Sequence, residues 1–355
     1  MARYYATVTT GLEEVAWDEV QEKAPGAVLQ RLERGRVFFG TDQDVGGLLK
    51  LRSVENLHAY VGEFAGLGCD RESLELIQQH VRQMSLDEAL ALYQQVVGPL
   101  PDPSFRVTAS RGGTHEFRSQ EVAAAAGAGV VQRYGWRVDL TGYDVEVMVD
   151  VRQDTCLVGL RLSGETMSRR SRVEHAYASL KSTVAYCMIR LLGAGAGDVF
   201  CDPMCGAGTV LVERAAYGAV GRLLGGDRDE DMLAKARVNL AAAGAAADLF
   251  RWDARRLPLR KGTVDRVVCN LPWGRRAGSH LVNVHLYPGF VRSLAAVLKG
   301  GGKAALLTLE KHLLTRLINR HPWLELTGIV PISVGGLKPS IYLVTKAGGA
   351  GASDH

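Results

Sequence analysis

No apolar run in this chain approaches the ~20 residues that a membrane-spanning helix needs. The opening MARYYATVTTGLEEV lacks the basic-then-apolar order of a secretory signal. Together these absences set the expectation of an intracellular, cytoplasmic protein. The cysteines, Cys69, Cys156, Cys187, Cys201, Cys205 and Cys269, include no C-x-x-C pair, and no His/Cys set follows Cys201 and Cys205 at zinc spacing. Buried free thiols are therefore expected, with no disulfide framework and no metal. A full G-x-G-x-x-G and a P-loop lysine are both missing, so two common phosphate fingerprints fit poorly. Internal repeats are absent too. Charge of one sign is scarce: 42 Lys and Arg against 38 Asp and Glu leave +4. No whole-molecule field announces a polyanion partner.

What remains is an ordinary globular composition, 47% hydrophobic and 23% charged, over 355 residues. That length has room for roughly two or three domains. Residues 2–9 alternate as a strand, GLEEVAWDEVQEK reads as a helix, GRVFFGT as a second strand, and DVGGLLKLRSVENLHAYVGEF as a helix then a strand. This order predicts a small α+β, ferredoxin-like domain over 1–64. Helical spacing recurs from Asp70 to Tyr93, and Pro99, Pro101 and Pro103 break the chain before the strand SFRVTASR. A helix capped by Ser119 follows, then a hairpin turning at Gln153-Asp154, which makes 65–163 a second α+β unit. Residues 164–180 are a polar, basic connector. Strands and helices then alternate through 181–346, as a mostly parallel sheet covered on both faces would require, and 347–355 reads as a disordered tail.

Four successive strands in this last part end in polar residues. VFCDP stops at Asp202 and turns through Gly206-Ala207-Gly208 into a helix; GRLLGGD ends at Asp227, about 20 residues after the glycines, where a carboxylate meets a ribose diol. ADLFRWD ends at Asp253, which could accept from an adenine amino group, and VDRVVCN at Asn270. Each alone reads as a tight turn or a helix cap. Their order points to an adenosyl ligand.

DPMCGAGT, GGD, RWDAR and NLPWGRR in this order resemble the class I S-adenosylmethionine (AdoMet) methyltransferases that modify exocyclic amino groups. Their fourth motif is [DN]-P-P-[YFW], and Leu271 stands here for its first proline. More narrowly, the chain resembles the THUMP-domain tRNA guanosine N2-methyltransferases. FRVTASRGGTHEFRSQEV, YDVEVMVDV and LVGLRLS are similar to a THUMP domain, HAYASLKSTVAYCMIRLL to the family's motif X helix, and GRRAGSHLVNVHLYPGF to its loop after the catalytic motif. The resemblance implies an α/β protein whose C-terminal Rossmann-like class I methyltransferase sheet follows an α+β ferredoxin-like and THUMP region. Carried onto this sequence, the AdoMet site takes Ser179, Leu180 and Lys181, then Asp202, Pro203, Met204, Cys205, Gly206, Gly208 and Thr209, then Asp227, Arg228, Asp253, Ala254 and Asn270.

Chemistry gives the tetrapeptide Asn270-Leu271-Pro272-Trp273 its expected role. An exocyclic guanine amine is a poor nucleophile, and two acceptors aimed at its hydrogens would stabilise the charge developing on nitrogen. The Asn270 side-chain oxygen and the Leu271 carbonyl suit that task; Pro272 restricts the residue before it, and Trp273 offers a stacking face to an extruded base. Arg106, Arg111, His115 and Arg118 of the THUMP-like segment, Arg169, Arg170 and Arg172 of the connector, and Arg275 and Arg276 are candidates for tRNA contact. His115 and Phe117 read equally well as packing residues. The resemblance implies N2-methylguanosine in the acceptor stem, at position 6, made by a monomer, with a small activating subunit in eukaryotic members. Two alternatives stay open: adenine-N6 methylation of RNA or DNA, and a non-catalytic RNA-binding protein.

Overall fold

The computed structural model describes residues 1–164, 167, 180–274 and 279–348. Contacts divide these into two compact units. One holds Met1–Thr7, Trp17–Leu51 and the described residues from Asn56 to Gly164; the other holds Val8–Ala16, Arg52–Glu55 and the described residues from Met167 on.

The first unit is a seven-stranded sheet with helices. In chain order come β1 (Ala2–Val8), α1 (Glu13–Lys23), β2 (Val28–Glu33), β3 (Arg36–Thr41), the short α2 (Val45–Leu48), β4 (Val54–Ala65), α3 (Glu72–Gln83), α4 (Asp87–Val97), β5 (Phe105–Gly112), α5 (Ser119–Tyr134), β6 (Val145–Arg152) and β7 (Thr155–Arg161). The sheet order is β2-β3-β1-β4-β7-β6-β5, so strands from both sides of residue 64 share one sheet. Three elements differ from the sequence reading. β2 goes unpredicted because none of its residues is buried, which leaves no apolar alternation to read. The periodic stretch from Asp70 splits at Met84, whose backbone is extended (ψ 136°). The α5 cap is Arg118 rather than Ser119: its N–H donates to the Glu121 carboxylate at 2.9 Å, and Ser119 is already helical.

The second unit positions the candidate site. α6 (Ser182–Leu191) leads into β8 (Val199–Asp202), α7 (Thr209–Tyr217), β9 (Arg222–Asp227), α8 (Glu230–Ala242), β10 (Asp248–Arg251) and a 3-10 turn at Ala254–Arg256. Then come β11 (Val264–Asn270), α9 (His280–Val297), β12 (Leu298–Thr308), α10 (Lys311–Asn319), β13 (Leu324–Pro331) and β14 (Ser340–Lys346). The sheet order is β10-β9-β8-β11-β12-β14-β13. β8 through β12 run parallel, and β14 is antiparallel to both β12 and β13.

Side-chain alternation covers both faces. On β11, Val267 and Cys269 join the core under α9 and α10, while Val268 joins the core under α6, α7 and α8. The chain steps outward from β8 to β10 and returns to β11 on the other side. That reversal opens a crevice at the carboxyl ends of β8 and β11, the standard ligand position in an open α/β sheet. Asp202 and Asn270 stand at those two ends. Among the described residues no helix is long and apolar enough to cross a membrane.

Candidate active site

The turn after β8 is built around a carboxyl group that has been taken out of water. Asp202 is 2% exposed, and burial, with Asp227 nearby, pushes its carboxyl up to about 8. Met204 N–H donates to it at 3.2 Å. Cys201, Cys205 and Cys269 lie buried beside it, and burial pushes each thiol up, so they stay protonated and inert. Cys205 therefore offers the turn surface its backbone alone.

Gly206 adopts φ +51°, and its N–H donates to one oxygen of Asp227 at 3.0 Å while Asp229 N–H donates to the other at 3.1 Å. A Cβ on Gly206 would meet nothing within 4 Å, so the peptide edge beside this fixed carboxylate faces open space. Gly208 serves packing instead: its Cβ would fall 3.1 Å from that of Ala236 on α8. Beneath Gly226 lies the Trp252 indole, whose Nε1 donates to the Pro203 carbonyl at 3.0 Å and pins the turn from below.

The remaining expected cofactor residues fall into distinct environments. Asp253 lies two residues past the end of β10 and caps the 3-10 turn by accepting from Arg255 N–H at 2.9 Å. Its carboxylate also receives the Arg255 guanidinium, which holds it below the usual range. A ligand amino group would compete with Arg255 for it. Ala254 and Thr209 are buried, and Arg228 is exposed. Leu180 packs into the core. Lys181 caps α6, and its Nζ is committed to Glu55 at 2.7 Å, an acid that Thr9 Oγ1 reaches at 2.8 Å. Ser179 lies outside the described residues. Polar atoms at the ends of β8, β9 and β10 thus line one edge with lone pairs to spare, a fit to the diol and amino groups of an adenosyl cofactor.

Asn270 ends β11, and its Oδ1 accepts from Trp273 Nε1 at 3.0 Å. Trp273 is half-buried and packs against the core under α6, rather than standing free in solvent. Leu271 is buried and donates its N–H to Leu307 on β12 at 3.0 Å. The Pro272 carbonyl accepts two hydrogen bonds, from Tyr287 Oη at 2.7 Å and Asn283 Nδ2 at 2.9 Å. The sequence reading missed these two donors. Their only signal was i, i+4 spacing inside NVHLY, which any helix surface shows.

The RNA-contact candidates divide as well. Arg106 is not free for phosphate: its guanidinium binds Glu146 (2.7 Å) and stacks on Tyr143. Arg111 and Arg118 are exposed. His115 pairs with the Gln153 carbonyl at 2.7 Å and leans on buried Phe117, so it packs as well as facing solvent. Arg169, Arg170, Arg172, Arg275 and Arg276 lie outside the described residues.

Residues 85–161 match the THUMP domain family model, and residues 169–329 match the model described as RMKL-like, methyltransferase domain. The tRNA (guanine(6)-N2)-methyltransferase of Thermus thermophilus is 33% identical over 351 residues, 96% of this chain and 98% of that protein. The chain belongs to the THUMP-domain tRNA guanine-N2 methyltransferases. Another member of the family, bovine tRNA (guanine(6)-N(2))-methyltransferase THUMP3, is 33% identical over 68% of this chain, which spans about half (51%) of that longer protein. The crystal structure of TrmN from Thermus thermophilus superposes with a TM-score of 0.80 at 31% identity, covering 98% of this chain and all of that one. Family membership thus extends over both the THUMP region and the Rossmann-like sheet.

Proposed function

We propose that the chain uses AdoMet to convert a guanosine of tRNA to N2-methylguanosine, at position 6 of the acceptor stem, acting on a guanine extruded from its helix. The observation that carries this reading is Asn270 Oδ1, held by the Trp273 indole at the carboxyl end of β11, the strand that pairs with β8 where the chain order reverses. When bound, AdoMet supplies a methyl group activated on a sulfonium sulfur. The chain's own residues position and polarise the amine. An amide oxygen has two lone pairs, so Oδ1 keeps one for a base amine hydrogen after accepting from the indole. The Leu271 carbonyl is the second acceptor, and both favour the charge that builds on nitrogen. Asn270 cannot hold a proton near neutrality, so the proton leaves to water after the methyl group has moved. Trp273 presents its ring to the extruded base, worth about 1–3 kcal/mol by comparison with other base–aromatic stacks. The Thermus and bovine relatives, named for this product, support the substrate.

The test is nucleoside mass spectrometry after incubation of unmodified tRNA with AdoMet and the protein. N2-methylguanosine mapping to position 6 is expected; N6-methyladenosine instead would overturn the substrate. Asn270→Ala should lower kcat by roughly 10²–10³. Near-normal turnover in that variant would remove Asn270 from the mechanism.

A further inference from the structure

Below the tetrapeptide lies a closed circuit of hydrogen bonds drawn from three elements. Tyr287 and Asn283, one turn apart on α9 and both fully buried, donate to the Pro272 carbonyl. Tyr287 Oη also meets Thr308 Oγ1 at 2.7 Å, at the buried end of β12. Thr308 Oγ1 in turn accepts from Glu310 N–H at 2.9 Å. The Glu310 carboxylate accepts the other Asn283 amide hydrogen at 3.2 Å, and His280 Nδ1 lies 2.9 Å from it.

Donor counting fixes every direction. A carbonyl can only accept, so the tyrosine proton goes to Pro272, and the Thr308 hydroxyl must therefore donate to Tyr287. Both amide hydrogens of Asn283 are spoken for, and flipping the amide would set its oxygen against two acceptors. The circuit has one arrangement. Gly274 closes it from above: at φ +74°, a Cβ there would fall 2.5 Å from Glu310 Oε1.

We propose that Tyr287, Asn283, Thr308 and Glu310 are positioning residues, which clamp the Pro272 carbonyl and so set the angle at which Asn270, the Leu271 carbonyl and the Trp273 ring face the substrate base. The proposal rests on the methyltransferase reading above, but it concerns loop geometry and has a readout of its own. Proline contributes no N–H, so its carbonyl is the one backbone hydrogen-bonding group that Pro272 offers, and that oxygen takes both donors. A shift of about 1 Å in reacting groups costs on the order of 10²-fold in rate, so a loose clamp appears in kcat ahead of binding.

The experiment labels the full-length protein with 5-fluorotryptophan and assigns the Trp273 fluorine resonance by Trp273→Phe. Tyr287→Phe should move or broaden that resonance while leaving the other indoles in place. It should also lower kcat roughly tenfold or more, with AdoMet affinity within twofold. Thr308→Val, which puts a methyl group in place of the upstream hydroxyl, should move the resonance the same way, and Thr308→Ser, which keeps the hydroxyl, should leave it at its parent position. An unmoved Trp273 resonance with kcat within twofold in Tyr287→Phe and Thr308→Val overturns the clamp. A moved resonance in a protein that makes no N2-methylguanosine keeps the clamp and rejects the substrate reading instead.

Discussion

A buried carboxyl group with few partners governs the pH behaviour of the turn after β8. Asp202 holds its proton up to about 8 in the folded chain, against 3.8 for the free side chain, because burial penalises the charge. Between those values the unfolded chain binds fewer protons than the folded one, so this group's contribution to stability falls as pH rises through the window. In the AdoMet-free protein, Asp202→Asn should flatten the decline in Tm between pH 5 and pH 8 relative to the parent, as followed by calorimetry. Parallel pH profiles would show that Asp202 carries no such shift. At this scale the sequence exposes a residue when it is polar at the end of an apolar run, as Asp202, Asp227 and Asn270 are. It conceals Asn283, Tyr287, Thr308 and Glu310, which look like any amide, ring, hydroxyl or acid on a helix or strand. Their role comes from what the fold sets against them.

Elements were legible where their burial pattern is periodic and hidden where it is not. β8, β9 and β11 each carry an apolar stretch that closes on a polar residue and are legible directly. α9 begins at His280, inside the stretch that resembles the family's loop after the catalytic motif; its exposed first turn carries Leu281 and Val282, and an internal Pro288 obscures its continuity. α10, β13 and β14 went unassigned; β13 shifts register between Leu326 and Gly328, which interrupts its alternation. The contribution of α9 can be measured. Leu294 is fully buried in the core under that helix, so Leu294→Ala should cost about 2–5 kcal/mol in urea unfolding monitored by circular dichroism. A loss well under 1 kcal/mol would mean that the site rests on other supports.

Across the whole molecule, a net charge of +4 makes nucleic-acid binding a matter of placement rather than total charge. Exposed Arg111 and Arg118 suit phosphates, whereas Arg106 belongs to a buried network. Glu146 is pushed up by burial but held below its usual range by Thr108, Arg106 and Arg161. The double reversal Arg111→Glu with Arg118→Glu should weaken tRNA binding more than tenfold and reduce the log–log salt slope by about 1–2, with AdoMet affinity unchanged. Arg106→Ala should instead lower Tm, because it leaves buried Glu146 short of a partner. An unchanged salt slope in the double variant would place the RNA contacts elsewhere.

Sequence by itself determined the Rossmann-like alternation, the THUMP-like segment and three polar strand ends, Asp202, Asp227 and Asn270, because burial on both faces of a parallel sheet writes apolar runs that polar residues must terminate; Asp253 lies beyond its strand, as a cap. Tertiary structure alone decided which of those residues are already engaged: Arg106 by Glu146, Asp253 by Arg255, Lys181 by Glu55 and Asn270 by Trp273. It also decided that the Pro272 carbonyl is gripped from α9 with support from the end of β12. Hydrogen bonds are short and directional, so partners distant in the chain are settled only once packing has brought donor and acceptor within reach.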